Sequence, residues 1–207
     1  DEVGALDGCS AETLSKYTSI EKRRRVDACM LLTRLADGRR VEIPEPELVP
    51  LLQAKIDACT CEAGYHATII LCAGRFHGIQ SSPTSEPLLL PFDLASQLLL
   101  AKGYRKVTTV VPIDEQRQHS IARFACQGIN VVSTLVSSQL EDEDVEATAR
   151  SIHEGLHGDC QDCPILLDYV GCRRGLADVL EKWRQAENVS CPLVLDIGAL
   201  ALASVVS

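Results

Sequence analysis

Apolar residues along this chain follow two rhythms. Short, mainly apolar runs lie at 27–33, 67–71, 107–111, 129–135, 164–168 and 193–195. Runs of that length suit strands buried on both faces. Between them, apolar residues recur every three or four positions, as in Leu48, Leu52, Ile56 and Cys59, or Val145, Ala149, Ile152 and Leu156, or Leu176, Leu180 and Trp183. That spacing places one apolar stripe on a helix. The punctuation agrees with it. Ser10 caps a helix over 11–17, Asp37-Gly38 turns the strand at 27–33 back through Val41 and Ile43, and Pro44 and Pro46 start a helix that Gly64 closes. Gly103 ends a helix over 88–102, Gly128 one that opens at Pro112 and runs to Cys126, and Gly158 the one carrying Leu156. Residues 199–206 are apolar nearly all round, which predicts a buried last helix.

Strands alternating with helices predict an α/β fold of parallel sheets flanked by helices. Residues 1–87 form a first lobe and 88–190 a second, with 191–207 a strand and helix able to pack back on the first lobe. The Ser- and Pro-rich stretch 78–87 is a loop beside the site.

Composition removes several classes of function. At 46% hydrophobic, 207 residues can bury a sizeable core. A net charge of -9 disfavours nucleic acid and anionic membrane, and Lys22–Arg25 is too short a basic run to reverse that. The acidic run at 141–144 reads as a solvated helix start. The apolar segments 88–101 and 191–206 are interrupted by Asp93 and Asp196 and are too short to span a bilayer. Ten cysteines could make a disulfide framework. However, Cys29, Cys59, Cys126 and Cys191 lie on apolar faces or at strand ends, where a thiol packs as a small hydrophobe. With no targeting peptide in view, a reducing cytoplasmic setting is expected.

The candidate chemistry lies at strand ends. The run Ala67–Leu71 stops at Cys72-Ala73-Gly74, the way a parallel strand delivers a side chain to the carboxyl edge of a sheet, where ligands bind. The run 164–168 has the same design and continues as Tyr169-Val170-Gly171-Cys172. With Gly74 laid over Gly171, Cys72 falls opposite Tyr169, and Cys172 lies three residues further on. A thiol at such an edge can be activated by nearby backbone N–H groups. Arg34, in a turn, can clamp a carboxylate or simply pair with Asp37. Asp114-Glu115-Gln116 stand at the same edge, where a helix start also explains the acids. His153, His157, Cys160 and Cys163 have a spacing a zinc ion could use, but the expectation is no metal, because Pro164 commits Cys163 to a buried strand.

Five stretches occur in order: 4–8 (Gly-Ala-Leu-Asp-Gly), 32–38 (Leu-Thr-Arg-Leu-Ala-Asp-Gly), 71–76 (Leu-Cys-Ala-Gly-Arg-Phe), 111–116 (Val-Pro-Ile-Asp-Glu-Gln) and 167–171 (Leu-Asp-Tyr-Val-Gly). Together they resemble the AroM family, which is in turn similar to the aspartate/glutamate/hydantoin racemase superfamily. The resemblance implies two pseudo-symmetric α/β lobes, each offering a cysteine to a substrate α-carbon. It also implies that an N-terminal strand ahead of the first motif is missing here, and that Tyr169 stands where the second cysteine is usual. The expected function is racemase- or isomerase-type chemistry at the α-carbon of a small carboxylate, with decarboxylation on one cysteine equally compatible. Cys72 would be one acid/base and Tyr169 or Cys172 its counterpart, with Ala73, Gly74, Arg34, Glu115, Gln116 and Gly171 binding substrate. No cofactor is expected, and a homodimer is compatible with the reading. The rival is a non-catalytic protein that binds a small acid on the same scaffold.

Overall fold

The computed structural model describes residues 4–18, 30–35, 37–60, 67–76, 78–80, 87–156 and 158–206. The chain divides into two compact units, Asp1–Thr68 with Phe76–Leu88, and Ile69–Arg75 with Leu89–Ser207.

In the first unit, helix α1 (Ala11–Thr18) starts where Ser10 Oγ accepts the Thr13 N–H at 3.1 Å. Strands β1 (Met30–Arg34) and β2 (Arg40–Pro44) form an antiparallel hairpin with Arg34 opposite Arg40. Its turn uses Gly38 at φ 84°, and Asp37 pairs with Arg39 at 2.7 Å. Leu31, Val41 and Ile43 turn inward. Helix α2 (Glu45–Thr60) carries Glu45 and Glu47 in its first turn, where the helix dipole favours negative charge, and buries Leu48 and Ile56. The expected stop at Gly64 lies outside the described residues, as does most of the loop expected over 78–87.

The expected strand at 67–71 shrinks to β3 (Thr68–Ile69), paired with the equally short β4 (Leu88–Leu89). It does not enter the main sheet. Leu71 is 46% exposed, and the chain bends at Cys72. The buried parallel strand expected over this run is therefore cut to two residues, because a run of letters does not say which partner it pairs with.

The second unit holds a four-stranded parallel sheet in the order β6-β5-β7-β8: β5 (Lys106–Val111), β6 (Asn130–Val136), β7 (Ile165–Leu167) and β8 (Val194–Asp196). Its helices are α3 (Pro91–Ala101), α4 (Arg117–Ala125), α5 (Val145–Glu154), α6 (Leu176–Ala186) and α7 (Ile197–Val206). Alternation along the strands divides the core in two. Val110, Ile165, Leu167 and Val194 pack with Ala149, Ile152, Leu176 and Leu180 of α5 and α6. Val107, Leu166 and Leu195 pack with Phe92, Leu99, Phe124 and Ile197 of α3, α4 and α7. Each such Val, Leu, Ile or Phe side chain contributes about 1.5–3 kcal/mol by leaving water. This is the helix-flanked parallel α/β architecture that the rhythm of the sequence predicts.

Several elements differ from expectation, among them α4, expected to open at Pro112 but beginning at Arg117 after a 3-10 turn over Asp114–Gln116. The helix predicted over 88–102 begins only at Pro91, after β4, because proline suits the first helical turn. Helix α5 ends at Glu154, and Gly158–Asp162 form a separate short 3-10 turn. Helix α7 is not buried all round: Ile197 and Ala201 are inside, but Leu202 is 56% exposed. Among the described residues no disulfide forms.

Candidate functional site

At the carboxyl edge of this sheet, β5 ends before Pro112, β7 delivers Asp168, and β8 ends on Asp196. Asp168 is held into the edge by its own N–H, which donates to the Val110 carbonyl at 2.8 Å. Its side chain is fully buried and takes two partners on Oδ2: the Ser120 hydroxyl at 2.7 Å and a guanidinium N–H from Arg123. Ser120 and Arg123 lie three residues apart on α4, so one helical face supplies both. Ser120 Oγ also lies 3.2 Å from Thr109 Oγ1, which is 3.1 Å from Thr134 Oγ1, so a row of hydroxyls runs back into the sheet.

The other arm of the Arg123 guanidinium donates to the carbonyl of Ala73. The group is packed against Phe92 and Phe124, its central carbon 5.3 and 5.8 Å from the two ring centroids. One side chain therefore ties the turn containing Cys72 to the residue that follows β7. Cys72 is half-buried, and its N–H closes a tight turn onto Ile70 O at 2.7 Å. Gly74 beyond it is buried.

Past Asp168, the half-buried Tyr169 donates its phenol to Glu141. Its ring lies against Gly171, where a Cβ would come within 2.6 Å of a ring carbon, so any larger residue there would displace the ring. The Cys172 thiol donates to the Tyr169 carbonyl at 3.1 Å. Burial raises its pKa first, and the carboxylates of Asp196, Asp168 and Glu141 add to the effect. This thiol keeps its proton. Asp196 caps α7, its Oδ1 accepting the N–H groups of Gly198 at 2.8 Å and Ala199 at 3.1 Å. Burial raises its pKa, and those two hydrogen bonds oppose the rise.

Ala73 is thus tied to Asp168, which immediately precedes Tyr169, and Cys172 follows in the same turn. Glu115 is exposed and Gln116 half-buried in a short 3-10 turn (Asp114–Gln116) after β5. Arg34 ends β1 in the first unit, and its side chain lies outside the described ones. In the His/Cys cluster, His153 Nε2 lies 3.0 Å from Glu187 and its ring stands edge-on to Trp183. Cys163 is buried against Thr108 at 3.3 Å, and burial raises its thiol pKa. His157 lies outside the described residues, among which no three such ligands gather.

Sequence reasoning gave no role to Arg123, Ser120, Asp168, Glu141 or Asp196. Asp168 and Asp196 carried a signal, since each puts a charge at the end of an apolar run. Arg123 carried none, because its two acceptors lie 45 and 50 residues away.

Solved structures with this architecture include a double mutant of arylmalonate decarboxylase in the liganded form. It matches with a TM-score of 0.63 and 13% identity over 78% of this chain and 74% of that one. A second arylmalonate decarboxylase structure matches with a TM-score of 0.61 and 10% identity, covering 84% of this chain and 83% of the other. At such identities the likeness establishes a shared racemase-like fold. A search of curated proteins finds no match. No helix among the described residues is long and apolar enough to cross a membrane. The family model described as AroM protein matches residues 1–173, and the chain belongs to the AroM family.

Proposed function

We propose that this protein catalyses proton transfer at the α-carbon of a small carboxylate, with Cys72 as the acid/base. The observation that carries this reading is the split contact of Arg123, which joins the Cys72 turn to the end of β7. A carboxylate bound against the backbone of Ala73, Gly74 and Gly171, near Glu115 and Gln116, would present its α-carbon to the Cys72 sulfur.

The chemistry is simple in outline. The Cys72 thiolate takes the α-proton, the C–H electron pair moves into the carboxylate to give an enediolate, and the resulting thiol returns a proton to the same carbon. Where the substrate has a second carboxylate on that carbon, loss of carbon dioxide leaves the same enediolate, and a thiol proton completes the reaction. Racemisation needs two groups that alternate as acid and base. Cys172, held protonated by burial and by three nearby carboxylates, is a poor proton donor and is not free to act as a base. Tyr169 is engaged with Glu141. One-thiol chemistry therefore fits better than a matched pair, and the likeness to arylmalonate decarboxylase supports the same class.

The test is proton exchange followed by NMR in heavy water, on a panel of α-substituted malonates and 2-substituted monocarboxylates. Loss of the α-proton signal, or release of carbon dioxide, should occur with the parent and disappear with Cys72→Ser. Equal rates in the two proteins would refute the role of Cys72. Binding of an acid with no exchange in either would leave a binding protein, the reading that the immobile Cys172 proton favours.

A further inference from the structure

We infer that Arg123, held by Asp168, is a positioning residue that sets the orientation of the Ala73–Gly74 peptide, one residue beyond Cys72, and so holds the turn that carries the thiol. The inference rests on the proposed role of Cys72, and it starts from the way the guanidinium is used. An arginine facing one buried carboxylate would ordinarily be satisfied by a bidentate pair. Here the fork is split, one terminal nitrogen going to Asp168 Oδ2 and the other to the Ala73 carbonyl. The division has a cost. Arg123 Nε and Asp168 Oδ1 are both buried with no hydrogen-bond partner among the described residues. A buried pair that leaves two polar atoms unmet is poor evidence of a device for stability.

What the split secures is geometric. The peptide joining Ala73 to Gly74 is planar, so holding its carbonyl on one side directs the Gly74 N–H to the other. Cys72 is the residue before Ala73, so the same contact anchors the turn one residue beyond it and limits how far the thiol can be displaced. Phe92 and Phe124 confine the guanidinium, while Ser120 confines the carboxylate. The chain of constraint runs from the sheet through Asp168 and Arg123 to the reacting thiol. Lysine cannot replace this arginine, because an ammonium on a flexible stem is a point charge without the planar fork.

The experiment compares Arg123→Lys and Asp168→Asn with the parent, reading the rate at which iodoacetamide alkylates Cys72 by peptide mass spectrometry. Cys126, exposed just after α4, is the internal reference. Release of the turn exposes the half-buried thiol, so Cys72 alkylation should rise several-fold in Arg123→Lys with Cys126 unchanged. Where the parent shows α-proton exchange, kcat should fall on the order of a hundredfold with KM little altered, the scale of a misplacement of about 1 Å. An unchanged Cys72 rate, or equal rises at Cys72 and Cys126, would overturn the inference. Asp168→Asn, which keeps the side-chain shape, should shift Cys72 in the same direction. The alkylation result stands without any turnover, so failure of the proposed activity and failure of the positioning role are read separately.

Discussion

At the scale of single residues, two thiols of this edge have opposite surroundings. Cys72 sits in a turn whose next carbonyl is bound to a guanidinium, while Cys172 is buried among Asp196, Asp168 and Glu141. The second environment makes a prediction about stability. Unfolded, a cysteine ionises near a pKa of about 8.5. Folded, Cys172 holds its proton well above that, so above this pH the folded state binds more protons than the unfolded one. Stability is then fully present below about 8.5 and is lost as pH rises from there toward the folded pKa, by up to about 1.4 kcal/mol per pH unit for one thiol. Cys163 acts in the same direction, since burial raises it as well. Urea midpoints measured between about pH 7.5 and 9.5 should fall with pH in the parent and fall less steeply in Cys172→Ser. Identical slopes would show that the Cys172 proton is not tied to folding. Cys72 could be singled out from the sequence because a strand-like run stops at it. The three carboxylates around Cys172 could not, because they come from three separate turns of the chain.

At the scale of elements, legibility depended on whether the pattern had a phase. Helices α2, α5 and α6 have apolar stripes, and their buried faces are the ones their spacing indicates. Helix α7 has no polar face to orient it, and the sequence therefore predicted full burial, where the structure leaves Leu202 outside. What orients α7 is its start. Asp196 caps it, and Gly198 comes so close to the turn after β7 that a Cβ there would lie 2.7 Å from the Val170 carbonyl oxygen and 3.2 Å from its Cα. In an open helix Gly→Ala gains up to about 1 kcal/mol from propensity. Here the added methyl meets backbone, which does not rotate away, and overpacking of this kind costs about 1–3 kcal/mol. Gly198→Ala should therefore lower the unfolding free energy by chemical denaturation. A stabilised variant would mean that α7 can draw back from Val170 freely.

At the scale of the molecule, the alternation of strand and helix after residue 104 was enough to foresee a covered parallel sheet. The place of the Cys72 segment was not foreseeable, since β3 is two residues long and the contact of this segment with Asp168 runs through the side chain of Arg123. That difference can be put to use. Every residue of the two core clusters of the second unit lies between Phe92 and Leu200 except Ala73, which packs at the border of one of them. A chain reduced to residues 89–207 keeps all four strands and both cores, at about 120 residues, a common size for an independent domain. It loses Ala73 and the buried Ile70, worth about 2–3 kcal/mol together. Against a typical total of about 5–15 kcal/mol, that loss should leave a folded protein. The truncated chain should unfold in one cooperative urea transition, with Arg123 still paired to Asp168 but without its carbonyl acceptor. It should show no α-proton exchange, because it lacks Cys72, the proposed acid/base. A gradual, non-cooperative transition would show instead that the sheet depends on the first 88 residues for its packing, and that the edge carrying Asp168 is not a preformed half of the site.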